Sequence, residues 1–333
     1  MCLYPRLIKN RKYIANKKNG GIIPPVLDQR VLQVPVGCGK CVECRKQKAR
    51  QWQVRLQEDL RKNKNAQFVT LTFSDTELNK LEKEIKGITG YNRDNEVARK
   101  AVRRYTERWR KKYGKTLRHW LVTELGSTNT ERLHIHGIVW SQNKEDIQKI
   151  WKYGQVWIGD YVNEKTINYI VKYVNKIDKT HKEYNSKIFT SKGIGKEYLD
   201  RSDKEINKYR PGETVETYRT KTGTKLGLPI YYRNKIYSDE EREKLWLEKL
   251  DKKERWVMGE RIDISKNDIE YFKVLKEARK KNKRLGYGDN SKNWELKKYE
   301  NQRRNLKKKE RIEKIYGKAI ANDWPTKSEN AFH

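Results

Sequence analysis

The chain has 333 residues, with 78 Lys and Arg against 44 Asp and Glu and a formal net charge of +34. Like charge at that density repels itself in a compact fold and makes most sense beside a polyanion, nucleic acid first. No stretch approaches the roughly 18 apolar residues of a membrane span; the opening MCLYPRLIKNRKY lacks a signal's apolar core, so no membrane partner and a cytoplasmic location are expected.

Residues 1–36 read as irregular, with GGIIPPVLDQRVLQVPVG rich in turn formers. CGKCVECRK then holds three of the four cysteines. In a cytosolic chain so close a cluster argues for metal or free thiols rather than a disulfide framework. Cys38, Cys41 and Cys44 form C-x2-C-x2-C, and a four-thiolate zinc site would recruit Cys2 as its fourth ligand. The alternative is free thiols in a basic loop, because three such near neighbours must reach three tetrahedral corners.

RKQKARQWQVRLQEDLRKNKN sets Trp52, Leu56 and Leu60 at helical spacing under heavy charge, which predicts an exposed basic helix from about Arg45 to Lys62. NAQFVTLTF (Asn65–Phe73) is a β-branched, aromatic strand. EVARKAVRRYTERWRKKYG (Glu96–Gly114) is an amphipathic basic helix ending on glycine. LRHWLVTELG and ERLHIHGIVW flank the polar turn STNT and predict an antiparallel hairpin. NKEDIQKIWKYG is a short helix with acids at its start and Gly154 at its end, QVWIGDYV a strand, and Glu164–Asp178 a helix. This β–α–β–β–α–β-like alternation fits an α+β fold with one antiparallel sheet and flanking helices.

From about Lys179 to Gly227 the chain is polar with little periodicity, and Leu228–Ser238 is a last apolar, aromatic patch. Beyond Asp239 the composition shifts to helix formers and dense charge of both signs, as in a charged helical, partly disordered appendage. The expected divisions are 1–62, a cysteine-containing segment and basic helix; 63–238, the α+β domain; and 239–333, the charged C-terminal region.

Two groups of residues carry chemistry. His134 and His136 stand one residue apart on a strand, so their imidazoles share a face. Glu124, on the other arm of the hairpin, can lie near both. Two imidazoles and a carboxylate make a divalent-cation site with open positions; the alternative is ordinary strand residues. Downstream, Tyr169 and Tyr173 are i, i+4 on the helix, with Lys172 and Lys176 at the same interval. Alone they would suit an amphipathic helix with half-buried tyrosines. Together with a cation site they suit phosphodiester chemistry: a cation polarises the phosphate, a tyrosine attacks and a lysine stabilises the charge. The aromatics, mostly Tyr (20) and Trp (10), suit stacking on single strands.

FVTLTF, LHIHGIVW and YIVKYVNK, in that order, resemble the three motifs of the HUH endonucleases, the rolling-circle replication initiators, in the subfamily with paired tyrosines. MCLYP, the CGKCVECRKQKARQWQVRL block and LPIYYRNKIY resemble more narrowly the initiators of gokushoviruses and other microviruses. The resemblance implies an RRM-like or ferredoxin-like HUH fold in which His134 and His136, with Glu124 as a more variable third ligand, bind Mg²⁺ or Mn²⁺. It implies Tyr169 and Tyr173 as nucleophiles, with Lys172 or Lys176 at the scissile phosphate. Thr70 and Thr72 read as strand residues, and the cysteine block stands apart from the tyrosine chemistry. The implied substrate is a single-stranded DNA origin in a host bacterial cytoplasm. GIGKEY and YGKT fall short of a Walker A loop, so a host helicase is expected, with a host polymerase and single-strand-binding protein. The rival readings are a related HUH enzyme of a plasmid or transposon and a non-enzymatic, zinc-dependent nucleic-acid-binding protein.

Overall fold

Strict alternation in the central strands decides the architecture. A computed structural model describes residues 1–126, 132–159, 161–177, 181 and 184–289. Contacts divide the chain into two compact units. One comprises Asn65–Val162 with the described part of Asp178–Ser191. The other comprises Met1–Lys64, Asn163–Ile177 and the described part of Lys192–Ser291.

The first unit is a five-stranded sheet of β1 (Ala66–Leu71), β2 (Arg118–Leu125), β3 (Leu133–Trp140), β4 (Val156–Ile158) and β5 (Ile188–Thr190). The order is β4-β1-β3-β2-β5, and every neighbouring pair is antiparallel. The first four strands, read with their helices, form the split βαβ arrangement that the alternation predicted. Val69, Leu71, Leu121, Leu125, Leu133, Ile135 and Val139 project from one face into the main core. There they meet Val97, Ala98, Ala101, Tyr105 and Trp109, which recur at helical spacing along Gly90–Tyr113. Leu78 and Leu81 of Asp75–Lys83 and Ile147, Ile150 and Trp151 of Lys144–Trp151 complete this layer. The alternate residues, including Thr70, Val122, Glu124, His134 and His136, belong to the opposite face.

Several expectations need correction. The helix expected to begin at Glu96 starts at Gly90; its end is as expected, Gly114 adopting φ 69° and donating to the Arg110 carbonyl. Helix Asp75–Lys83 went unforeseen, although Ser74 accepts from the Glu77 N–H in an S-x-x-E start. Lys144–Trp151 ends on Lys152 at φ 61°, not on Gly154. Gly154 serves a close approach instead, since a Cβ there would stand 2.6 Å from the Thr72 carbonyl oxygen. Strand β5 lies in a stretch that showed no periodicity, and the STNT turn lies outside the described residues.

In the second unit, helix Val42–Lys62 begins three residues before the expected Arg45 and is not simply exposed, because Arg45, Val54, Leu56, Glu58 and Asp59 are buried. The supposedly irregular N-terminal segment contains Arg6–Lys9 paired with Gln33–Val36. LPIYYRNKIY forms helix Ile230–Ile236, whose Tyr232 packs with Val54, Tyr198, Tyr218 and Leu245. Past Asp239, helices Asp239–Asp251 and Ile269–Arg284 flank a β-hairpin, Glu254–Val257 with Glu260–Asp263. The region is therefore not purely helical there. Residues 290–333, including the segment expected to be partly disordered, lie outside the described residues.

Candidate active site

The pairing of β2 with β3 places Glu124 opposite His134 and Val122 opposite His136. The proximity expected from the hairpin is present: His136 Nε2 lies 2.8 Å from Glu124 Oε2. On the other side β1 pairs Thr70 with His136, and Thr70 Oγ1 lies 3.1 Å from His136 Nδ1. Sequence reasoning missed Thr70 as a partner. The available signal was its place in the alternating strand, since every second residue of β1 shares the histidine face. The ring is thus held at both nitrogens. A carboxylate only accepts, so Nε2 carries the proton in this contact, and the threonine hydroxyl can donate to Nδ1 or accept from it.

The two imidazoles lie with ring centroids 6.3 Å apart and planes 25° from parallel. Burial, then the neighbouring His136, pushes His134 below its ordinary range and favours neutral imidazole, the ligating form. The donor set of two imidazoles and a carboxylate on adjacent strands suits a divalent cation with open positions. Among the described residues, however, the only cluster of three or more such groups with all ligand atoms within 4.8 Å is the four cysteines.

The tyrosine segment was expected to be one helix. Instead, helix Glu164–Ile170 passes through a turn at Val171 into Lys172–Asn175. Val174 N–H bonds to the Val171 carbonyl, three residues back, which tightens the helix locally. Asn163 and Thr166 close a capping box at its start. Ile167, Ile170, Val171 and Val174 are the buried stripe. Tyr169 is half exposed and Tyr173 partly so, with their hydroxyls 2.8 Å apart and their rings perpendicular. Lys172 Nζ lies 5.9 Å from the Tyr169 ring centre and Lys176 Nζ 5.9 Å from that of Tyr173. The phenols thus stand off the apolar stripe, each beside a cation.

The four cysteines converge. Cys2 Sγ lies 3.9 Å from Cys41 Sγ, and Cys38 Sγ lies 4.0 Å from Cys44 Sγ. Four thiolates tetrahedrally disposed at about 2.3 Å from zinc stand about 3.8 Å apart, so the set is compatible with structural zinc. Backbone N–H groups of Tyr4 and Cys38 point at Cys2 Sγ, and that of Cys41 at Cys38 Sγ. Hydrogen bonds from the Cys2 and Cys44 thiols hold Cys41 well below the usual thiol range.

With this geometry in place, the comparison with known families bears on both groups. Residues 66–178 match the model of a family described as replication-associated protein, of the ORF2 type. The matched stretch spans β1, the histidine hairpin and the tyrosine pair, and it supports a family of rolling-circle replication initiators. No curated protein and no solved structure gives a significant match. Among the described residues, no helix is long and apolar enough to cross a membrane.

Proposed function

We propose that the protein nicks and rejoins single-stranded origin DNA to start and finish rolling-circle replication. The observation that carries this reading is the pair of accessible tyrosine hydroxyls, 2.8 Å apart on one helical face with a lysine beside each ring. One phenol oxygen attacks the scissile phosphorus, the P–O3′ bond breaks, and O3′ takes up a proton. The 5′ end is left on tyrosine and the free 3′-hydroxyl can be extended by a polymerase. A later 3′-hydroxyl attacks the phosphotyrosine, the P–O(Tyr) bond breaks, and a circle closes without ATP. Phenol ionises at about pH 10, so Lys172 and Lys176 would favour the phenolate, and the second tyrosine hydroxyl would donate to it.

His134, His136 and Glu124 would hold Mg²⁺ or Mn²⁺, which when bound polarises a phosphoryl oxygen. Thr70 would hold His136 in the required tautomer by accepting from Nδ1 and leaving Nε2 to ligate. The narrower reading is an initiator of the gokushovirus type, working in a bacterial cytoplasm with host helicase, polymerase and single-strand-binding protein. It rests on the resemblance of the cysteine block and LPIYYRNKIY.

The test mixes full-length protein and cation with labelled single-stranded origin DNA and resolves covalent adducts on a denaturing gel. Tyr169→Phe and Tyr173→Phe should each keep some single cleavage, because phenylalanine preserves packing and removes only the nucleophile. The double variant should form no adduct. Adduct at the parental level in the double variant would eliminate the pair as nucleophiles. Binding without cleavage by the parent would favour a non-enzymatic nucleic-acid-binding protein.

A further inference from the structure

The cysteine cluster is joined to the tyrosine segment by a short chain of contacts within one unit. Cys41 is the N-cap of helix Val42–Lys62, and its side chain caps nothing. The cap is supplied from far along the chain: Asn282 Oδ1 accepts from the Val42 N–H at 2.9 Å, while its Nδ2 donates to the Tyr287 and Gly288 carbonyls. Arg279 Nε donates to the Leu3 carbonyl at 3.0 Å and the guanidinium lies over the Tyr4 ring. Leu3, Cys41, Val42, Val257, Ile262, Leu275 and Ala278 form a small core around the thiols. Three distant segments therefore meet at four sulfurs.

The next residue after Cys44 is Arg45. Its guanidinium is buried and donates through Nη1 to the Lys176 carbonyl at 3.0 Å. Lys176 is where the tyrosine helix ends, with ψ turning to 133°. A helix C-terminus presents carbonyls that lack intrahelical partners and carry partial negative charge, so a cation there is a favourable clasp. Tyr287 OH donates to Asn175 Oδ1 at 3.4 Å, one residue earlier. Gln53 Nε2, further along the same helix, donates to Asn168 Oδ1 at 2.8 Å. Helix Val42–Lys62 packs against both halves of the tyrosine segment. The tyrosine segment is short and turns at Val171, so packing and these bonds, rather than its own length, fix it.

We propose that Cys2, Cys38, Cys41 and Cys44 bind one zinc ion, and that this centre, acting through the first turn of helix Val42–Lys62 and Arg45, positions the Tyr169–Tyr173 pair. Arg45 is a positioning residue. It touches the backbone at the end of the helix and not the phenols. The proposal rests on the functional reading above for what the tyrosines do, and on geometry alone for what holds them.

The experiment uses the full chain. Metal analysis of protein purified without chelator should find about one zinc per chain, and cobalt exchanged into the site should show thiolate-to-metal charge transfer. Hydrogen–deuterium exchange, with no DNA present, should then show faster exchange across residues 164–177 in Cys41→Ser, in metal-stripped protein and in Arg45→Ala. Residues 66–71 and 133–140 should exchange as in the parent. Arg45→Ala keeps all four ligands, so it reads the clasp even where the cysteine variant folds poorly, and Arg45→Lys should restore part of the protection. In single turnover Arg45→Ala should slow adduct formation by about tenfold, the scale of one lost charge-assisted hydrogen bond, with DNA affinity unchanged. Absence of zinc, or parental exchange at 164–177 in Arg45→Ala, overturns the proposal. Because exchange is read without DNA, a failure of the nicking assay leaves this result standing, and the reverse also holds.

Discussion

Gly137→Ala probes whether the histidine face depends on close approach of β2 and β3. Gly137 follows His136 and pairs with Leu121. A Cβ there would stand 2.3 Å from the Trp120 carbonyl oxygen, 2.5 Å from Leu121 Cδ2 and 2.8 Å from Leu121 Cα. Two of those atoms are backbone and cannot rotate aside. Relief requires the strands to part by about 1 Å, the gap between these distances and ordinary contact near 3.5–4.0 Å. Overpacking typically costs about 1–3 kcal/mol, and losing glycine's extra freedom in the unfolded chain offsets about 0.4–1 kcal/mol. Backbone contact puts the clash at the upper end, so the net is about 2 kcal/mol, or about 4–8 °C in Tm for a cooperative unit of 150–250 residues. The same parting stretches the 2.8 Å contact between His136 and Glu124 beyond hydrogen-bond range. Calorimetry should therefore show the loss in Tm, and cation-dependent nicking should fall with it. A variant melting within about 1 °C of the parent, less than half a kcal/mol on this scale, would refute the claim that this contact is tight.

His136→Ala and His134→Ala should lose cation-dependent nicking while keeping single-strand affinity and its salt dependence, since the net charge of +34 is untouched; Glu124→Ala should do the same less severely. Nicking at the parental rate in either histidine variant would remove the cation assignment. Thr70→Val, which keeps shape and removes the hydroxyl at His136 Nδ1, should weaken cation affinity by about 10–100-fold, read as the cation concentration needed for half-maximal nicking. Burial lowers both His119 and His134 below their ordinary 6.5. The unfolded chain then binds more protons, so the stability these groups contribute is complete above about pH 6.5 and is lost as pH falls toward their folded values. Tm should drop between pH 7 and pH 5.5, and the drop should be smaller in His134→Gln; an unchanged drop would mean that His134 does not supply this part of it.

The features legible in the sequence share one property: they repeat locally. Leu133, Ile135 and Val139 alternate with His134 and His136, so both the strand and the shared face of the imidazoles follow from period two. Val97, Ala101, Tyr105 and Trp109 recur at helical spacing, so the long helix follows even where its start does not. The pairing of Glu124 with the histidines was accessible because a short hairpin leaves few registers. Strand β5 was not, since Ile188–Thr190 is too short for a period and owes its place to pairing with Trp120–Val122.

The less legible residues are those whose partners lie far along the chain. Thr70 is an ordinary β-branched residue until β3 places His136 beside it, 66 positions away. Arg45 looks like one more charge on a basic helix until folding sets it against a carbonyl 131 positions away. Asn282 sits among charges of a seemingly solvated tail, yet caps a helix that starts 240 positions earlier. Neighbours in sequence constrain periodicity, capping and turn chemistry. They do not say which buried carbonyl or N–H will need a partner once the chain has closed, and in a chain this rich in Lys and Arg, composition conceals which cations have such a partner. That is why the cysteines looked separate from the tyrosines in the sequence. The link between them is a buried guanidinium one residue after Cys44, and no pattern of charge distinguishes it from its exposed neighbours.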